Sequence, residues 1–159
     1  MTATFTFTEW NSSTSTTTAT NFNLGSTNSA NLNPSTYPIT AGTSSYEKWL
    51  TAAFAGSFTS IDNLQFWKST GTYVTGEAIN WTSRYTTYTN PTTTDSVIAT
   101  TAVPTADPTT ANVSIGDSLT GSLTAAGESD YIILQASITT AASAGSANQL
   151  TFTLEYDET

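Results

Sequence analysis

Apolar and hydroxyl-bearing residues alternate one by one at both ends of this chain. Ala3, Phe5 and Phe7 fall on one side of an extended segment, with Thr2, Thr4, Thr6 and Thr8 on the other. Leu150, Phe152, Leu154 and Tyr156 likewise alternate with Thr151, Thr153, Glu155 and Asp157. A period of two is the signature of a half-buried strand, and threonine suits its solvated face. Further strands are expected at 59–68, 72–81, 84–89, 95–103, 111–115 and 130–139. Turn signals separate them: Ser69-Thr70-Gly71, Asn90-Pro91, Asp107-Pro108, Gly116-Asp117 and Ala126-Gly127. About eight or more short antiparallel strands predict an all-β fold, a sandwich or jelly roll, with 1–159 as a single domain. No repeat of fixed period runs through the chain, which disfavours a β-solenoid.

Two stretches depart from this pattern. Residues 44–56 carry a conflict. Ser44 and Glu47 have capping-box spacing, and Tyr46, Trp49, Leu50, Ala53 and Phe54 fit one helical face, with Gly56 as a stop. A strand would instead put Tyr46, Lys48, Leu50, Ala52 and Phe54 on one side and bury a lysine. Local signals favour a short helix near 45–55, while the β context around it favours the strand. The second stretch, 11–36, is rich in Thr, Ser and Asn and reads as a long polar loop or arm. Contacts with neighbouring subunits would order it.

Composition narrows the chemistry. Thirty-seven residues are threonine and twenty are serine, against three cations and twelve acids. The cations are Lys48, Lys68 and Arg84, so no positive side chain follows residue 84. A net charge of −9 argues against nucleic-acid phosphates and against anionic membrane surfaces. Cysteine and histidine are absent, which excludes disulfides and cysteine-based zinc sites and removes the commonest general base. Four Trp, seven Tyr and seven Phe are enough for a real core. The first residues, MTATFTFTEW, have neither the basic nor the apolar region of a signal peptide, and no stretch has the length of a membrane span. Synthesis in the cytoplasm of a host follows if Met1 is the true start.

Each chemical constellation has a plainer reading. Glu47 or Glu77 beside Trp49 or Trp81 imitates a glycosidase site, but no second carboxyl is fixed at a working distance. No catalytic residue and no cofactor is expected. Calcium is the one metal whose oxygen-only preference the chain could meet, through Asp107, Asp117, Glu128, Asp130 and a C-terminal acid. No Asp-x-Asp-x-Asp-Gly loop is present to support it. Trp49, Trp67, Trp81 and the Tyr85/Tyr88 pair could form an aromatic platform for sugars, with Trp81, Tyr85 and Tyr88 stacking on the rings, although alternating aromatics in a β protein more often belong to the core. The Thr-x-Thr run at the start lacks the regular lattice of an ice-binding surface.

The block Ser44–Glu77, SSYEKWLTAAFAGSFTSIDNLQFWKSTGTYVTGE, and the closing TFTLEYDET resemble structural proteins of tailed-phage virions. The likeness rests on the Tyr-Glu-Lys-Trp, Asn-Leu-x-Phe-Trp-Lys and terminal Tyr-Asp-Glu patterns, about a third of the chain. It implies a β-sandwich or jelly-roll subunit without enzymatic residues, most simply a capsid decoration or cement protein on the exterior of a virion. Its partners would be the major capsid protein and copies of itself, as a homo-oligomer and plausibly a trimer. Phe5, Phe7, Thr16, Thr18, Phe22, Asn33 and Pro34, from the first strand and the polar arm, are the expected assembly contacts. Two other roles fit the same residues: a tail, appendage or filament subunit, and a carbohydrate-binding sandwich for surface attachment.

Overall fold

Alternation becomes strand pairing at both ends of the chain. In a computed structural model that describes residues 2–11, 16–19, 21–95, 97–143, 145 and 148–159, nine strands are present: β1 (Ala3–Trp10), β2 (Thr16–Thr18), β3 (Lys48–Gly56), β4 (Ile61–Thr70), β5 (Glu77–Tyr85), β6 (Thr101–Ala102), β7 (Gly127–Glu128), β8 (Tyr131–Ile138) and β9 (Thr151–Glu158). Every pairing is antiparallel. The larger sheet has the order β2-β1-β3-β8-β5-β6, with β7 also on β3, and β4 and β9 form a second, two-stranded sheet. The two pack face to face as a β-sandwich.

The core lies between them. Phe5, Phe7, Leu50, Ala52, Phe54, Ile79, Trp81, Ile132, Leu134 and Ala136 come from the inner face of the larger sheet, and Ile61, Leu64, Phe66, Phe152, Leu154 and Tyr156 from the smaller. Phe66 stacks on Trp81 at 5.7 Å between ring centroids, and Tyr156 meets Phe54 edge-on at 4.9 Å. Such pairs add to simple burial because ring edges and faces carry opposite partial charge.

Residues 48–56 form a strand, not the helix that their local spacing favours. The strands β3 and β8 are the middle of the larger sheet and are buried on both faces. A strand covered on both sides loses its polar alternation, so its sequence no longer distinguishes strand from helix. The lysine that counted against the strand is accommodated. Lys48 lies on the inner face, 4% exposed, with its Nζ 2.5 Å from Oε1 of Glu9, which is 1% exposed on the neighbouring β1. Its ammonium also donates to the Ser29 carbonyl at 3.1 Å.

That last contact belongs to the polar stretch 11–36, of which residues 12–15 and 20 lie outside the described set. The described part folds back on its own chain. β2 pairs with the end of β1, and the Ala19 amide continues to the Phe7 carbonyl. Leu32 is buried, Phe22 and Leu24 pack on the core, and Asn23 Nδ2 donates to the Leu32 carbonyl.

Three expected strands are largely loops. Of 84–89 only the end of β5 is strand, of 95–103 only β6 pairs, and 111–115 contributes a single bridge, Ile115 to Ser118. These segments cover sheet faces and edges in place of pairing in ladders. Glu47 accepts the Ile98 amide and, at 2.8 Å, the Ala99 amide, fixing 97–99 over the outer face of the larger sheet. Asn112 replaces a strand beside β4: its Oδ1 accepts the Phe66 amide at 2.8 Å and its Nδ2 donates to the Phe66 carbonyl at 2.9 Å.

Removing one member of the buried ion pair leaves the other charge without compensation. Glu9→Gln is expected to cost about 3–5 kcal/mol, and the double change Glu9→Leu with Lys48→Met far less, because apolar residues of similar size can fill the site. Equilibrium urea unfolding of the three proteins checks the difference.

Candidate interaction surface

Strand edges are where a sheet remains chemically unsatisfied, because alternate N–H and C=O groups point away from the neighbouring strand. The outer edges of β4 and β5 are closed by the chain itself. On β4 the Asn112 side chain, the amides of Asn112 and Val113 at the Leu64 carbonyl, the Lys68 amide at the Pro104 carbonyl, and the reciprocal Ile61–Leu123 pair do this work. β5 is met by β6 and by the Val103 amide at the Ile79 carbonyl. β9 is different. Among the described residues its backbone pairs with β4 alone, apart from the Thr151 carbonyl, which the Ser69 hydroxyl reaches at 3.3 Å.

Beside this edge the core is thinly covered. Phe152, Leu154 and Tyr156 point inward from β9, yet all are half-buried, as are Phe5 and Phe7 of β1 opposite them. Tyr156 lies 6.2 Å from Phe5 and 4.9 Å from Phe54, while Phe5 and Phe7 touch edge-on at 4.8 Å and Phe7 meets Phe22 at 4.9 Å. The free edge of β9 therefore borders a row of partly covered aromatic rings. Of the expected assembly contacts, Phe5, Phe7 and Phe22 gather here, packed against the core. Thr18 is exposed on β2, and the side chain of Thr16 falls outside the described set. Asn33 and Pro34 stand apart on an exposed turn, in which Asn33 accepts the amides of Ser35, Thr36 and Tyr37.

The aromatic platform of Trp81, Tyr85 and Tyr88 does not form. Trp81 faces inward, 7% exposed, and stacks on Phe66. A bulge after Thr82, where Arg84 adopts φ 76°, inserts an extra residue and turns Tyr85 to the opposite face of the sheet. There Tyr85 and Tyr88 meet Trp49 at 5.9 and 5.3 Å, and Tyr131 and Trp10 complete the group. Trp49 is wholly buried, so this group is a second core beneath residues 86–95 and 97–100, with Tyr85, 40% exposed, at its rim. Trp49 does group with Tyr85 and Tyr88, as a core and not as a platform, while the part of Trp10 was hidden in the sequence, where it is remote from the tyrosines it packs against.

The acids are occupied separately. Asp130 accepts the amides of Gly116 and Asp117 at 3.1 and 2.7 Å, holding a tight turn in which both residues have positive φ. Glu128 accepts the Thr51 hydroxyl at 2.7 Å, Asp117 lies 4.0 Å from Arg84, and Asp107 is exposed. Among the described residues no three acids stand where they could share a cation, so the set named for calcium does not come together. Glu47 and Glu77 are each bound to backbone amides, Glu47 to those of Ile98 and Ala99 and Glu77 to that of Val74.

The cations are distributed just as unevenly. Lys48 is buried with Glu9, and Lys68 is buried with its ammonium 2.6 Å from the Gly71 carbonyl and over the Tyr73 ring. Among the described residues Arg84 is the one exposed cationic side chain. Comparisons with protein-family models, with curated proteins and with solved structures found no match.

Tyr73, Tyr88 and Tyr131 all titrate above the ordinary 10.0, chiefly because burial disfavours the phenolate. Nearby Glu77 adds to the effect at Tyr73, Glu9 at Tyr88 and Glu128 at Tyr131. The unfolded chain releases these protons first, so stability is expected to fall as pH rises above 10.0 and through the folded values. Ultraviolet titration of phenolate in native and urea-unfolded protein should show part of the tyrosine signal delayed only in the native state.

Proposed function

We propose that this chain is a non-enzymatic assembly subunit that works by burying surface against neighbouring proteins. The observation that carries the reading is the unpaired edge of β9 beside the half-covered row of Phe5, Phe7 and Tyr156. A strand added at such an edge gains backbone hydrogen bonds for affinity and side-chain contacts for register. The chemistry of the remaining polar groups agrees with it, since Glu9, Glu47, Glu77, Glu128 and Asp130 all serve structural contacts.

Within that class, the particular role we favour is a decoration or cement protein on the outside of a tailed-phage capsid. The resemblance of Ser44–Glu77 and of the last strand to virion structural proteins supports it. So does a surface whose exposed charge is almost wholly negative, which suits a position facing away from packaged DNA. A tail or filament subunit would use the same edge in a helical assembly.

Sedimentation of the purified protein, alone and with purified capsid shells, tests the reading. Depletion from solution by the shells is the expected result. A sharp monomer that ignores shells would overturn it.

A further inference from the structure

We infer that the free edge of β9 takes an extended segment of another protein in which apolar residues alternate with lysine or arginine. The inference deepens the assembly reading and rests on it. Three observations define the occupant. First, the edge of β9 that faces away from β4 has no backbone partner among the described residues, and the strand is eight residues long, enough to hold an added strand in register. Second, an added strand would share the pleat of β9, so its side chains would alternate between the same two faces. On the inner face they would lie against the half-buried rings of Tyr156 and Phe5, which calls for apolar residues. On the outer face they would lie beside Thr151, Thr153, Glu155 and Asp157.

The third observation concerns charge. Glu155 and Asp157 are exposed, and Asp62, opposite Asp157 on β4, adds a third carboxylate to this end of the small sheet. Their side-chain partners among the described residues are neutral, the Asn63 amide at 3.1 Å from Asp157 and the Ser60 hydroxyl at 3.2 Å from Asp62. Among the described residues no Lys or Arg side chain answers them: Lys48 and Lys68 are buried with partners of their own, and Arg84 belongs to the other sheet beside Asp117. Opposite charges across a strand pair stabilise it and like charges oppose it. A second copy paired through β9 would bring its own Glu155 and Asp157 to the same outer face. A partner with lysine or arginine at those positions satisfies the edge, the rings and the acids together.

The test uses the full chain and two synthetic peptides of the length of β9, one alternating valine with lysine and one alternating valine with glutamate. Calorimetric titration should detect the lysine peptide and not the glutamate peptide. Hydrogen exchange should show protection spreading over the β9 amides when the lysine peptide is added. The double reversal Glu155→Lys with Asp157→Lys should weaken lysine-peptide binding about tenfold or more, and should admit the glutamate peptide. The neutral pair Glu155→Gln with Asp157→Asn gives an intermediate affinity, and it keeps the test open should the reversal unfold the small sheet. Equal binding of both peptides, or protection away from β9, would overturn the inference. So would protection of β9 in the chain alone as its concentration rises, because the occupant would then be a second copy. Shell association without lysine-peptide binding overturns this inference and leaves the assembly reading standing; lysine-peptide binding without shell association does the reverse.

Discussion

Two sheets of unequal breadth have to cover each other, and the rest of the structure follows from that mismatch. The strands β1, β3, β8 and β5 present a broad inner face of aromatic and branched aliphatic side chains, while the opposing sheet supplies only β4 and β9. Apolar surface left in water would forfeit roughly 25 cal/mol for each Å². The chain meets the deficit with irregular segments. Residues 104–123 extend the cover beyond β4, held there by Asn112 and Leu123. On the β9 side no described segment plays that part, and the rings of Phe5, Phe7 and Tyr156 remain half-covered.

Polar groups inside this arrangement act as fasteners for loops. Glu47 gathers two amides of the segment that roofs the second aromatic core, and Gln135 reaches the carbonyls of Ser45 and Thr94 from the middle of β8. Lys48 bridges Glu9 to the Ser29 carbonyl, joining a central strand, an outer strand and the polar stretch. Each is buried and satisfied, as groups with a high desolvation cost must be. This consumption of charged side chains in structure leaves the exterior hydroxyl-rich and negative. Such a surface repels copies of itself at long range.

The terminal strands were the most legible elements, because each has one face on the core and one in solvent, so that burial is written directly into alternation. The central strand at Lys48–Gly56 was the least legible. With both faces covered, it carries apolar residues at nearly every position and satisfies a helical pattern equally well. The aromatic residues show the same division. That Trp81 belongs to a core was readable as a tendency, but its separation from Tyr85 depends on one bulge at Arg84. No periodicity announces such a bulge, since it arises from how β5 must bend to keep pairing with β8.

What the amino-acid sequence determined by itself was therefore local and compositional: an all-β chain, strands at its ends, an acidic and cation-poor surface, and no thiol or imidazole chemistry. These follow from residue type and nearest-neighbour spacing, which need no partner in space. Tertiary structure alone decided which strands lie at the centre, that Glu9 compensates Lys48 across 39 residues of chain, and that Asn112 stands in for a strand beside Phe66. It also decided that β9, among the described residues, keeps one edge open. Edges, ion pairs and covered faces are relations between segments distant in sequence, and they acquire a definite form only when the sheets close on each other.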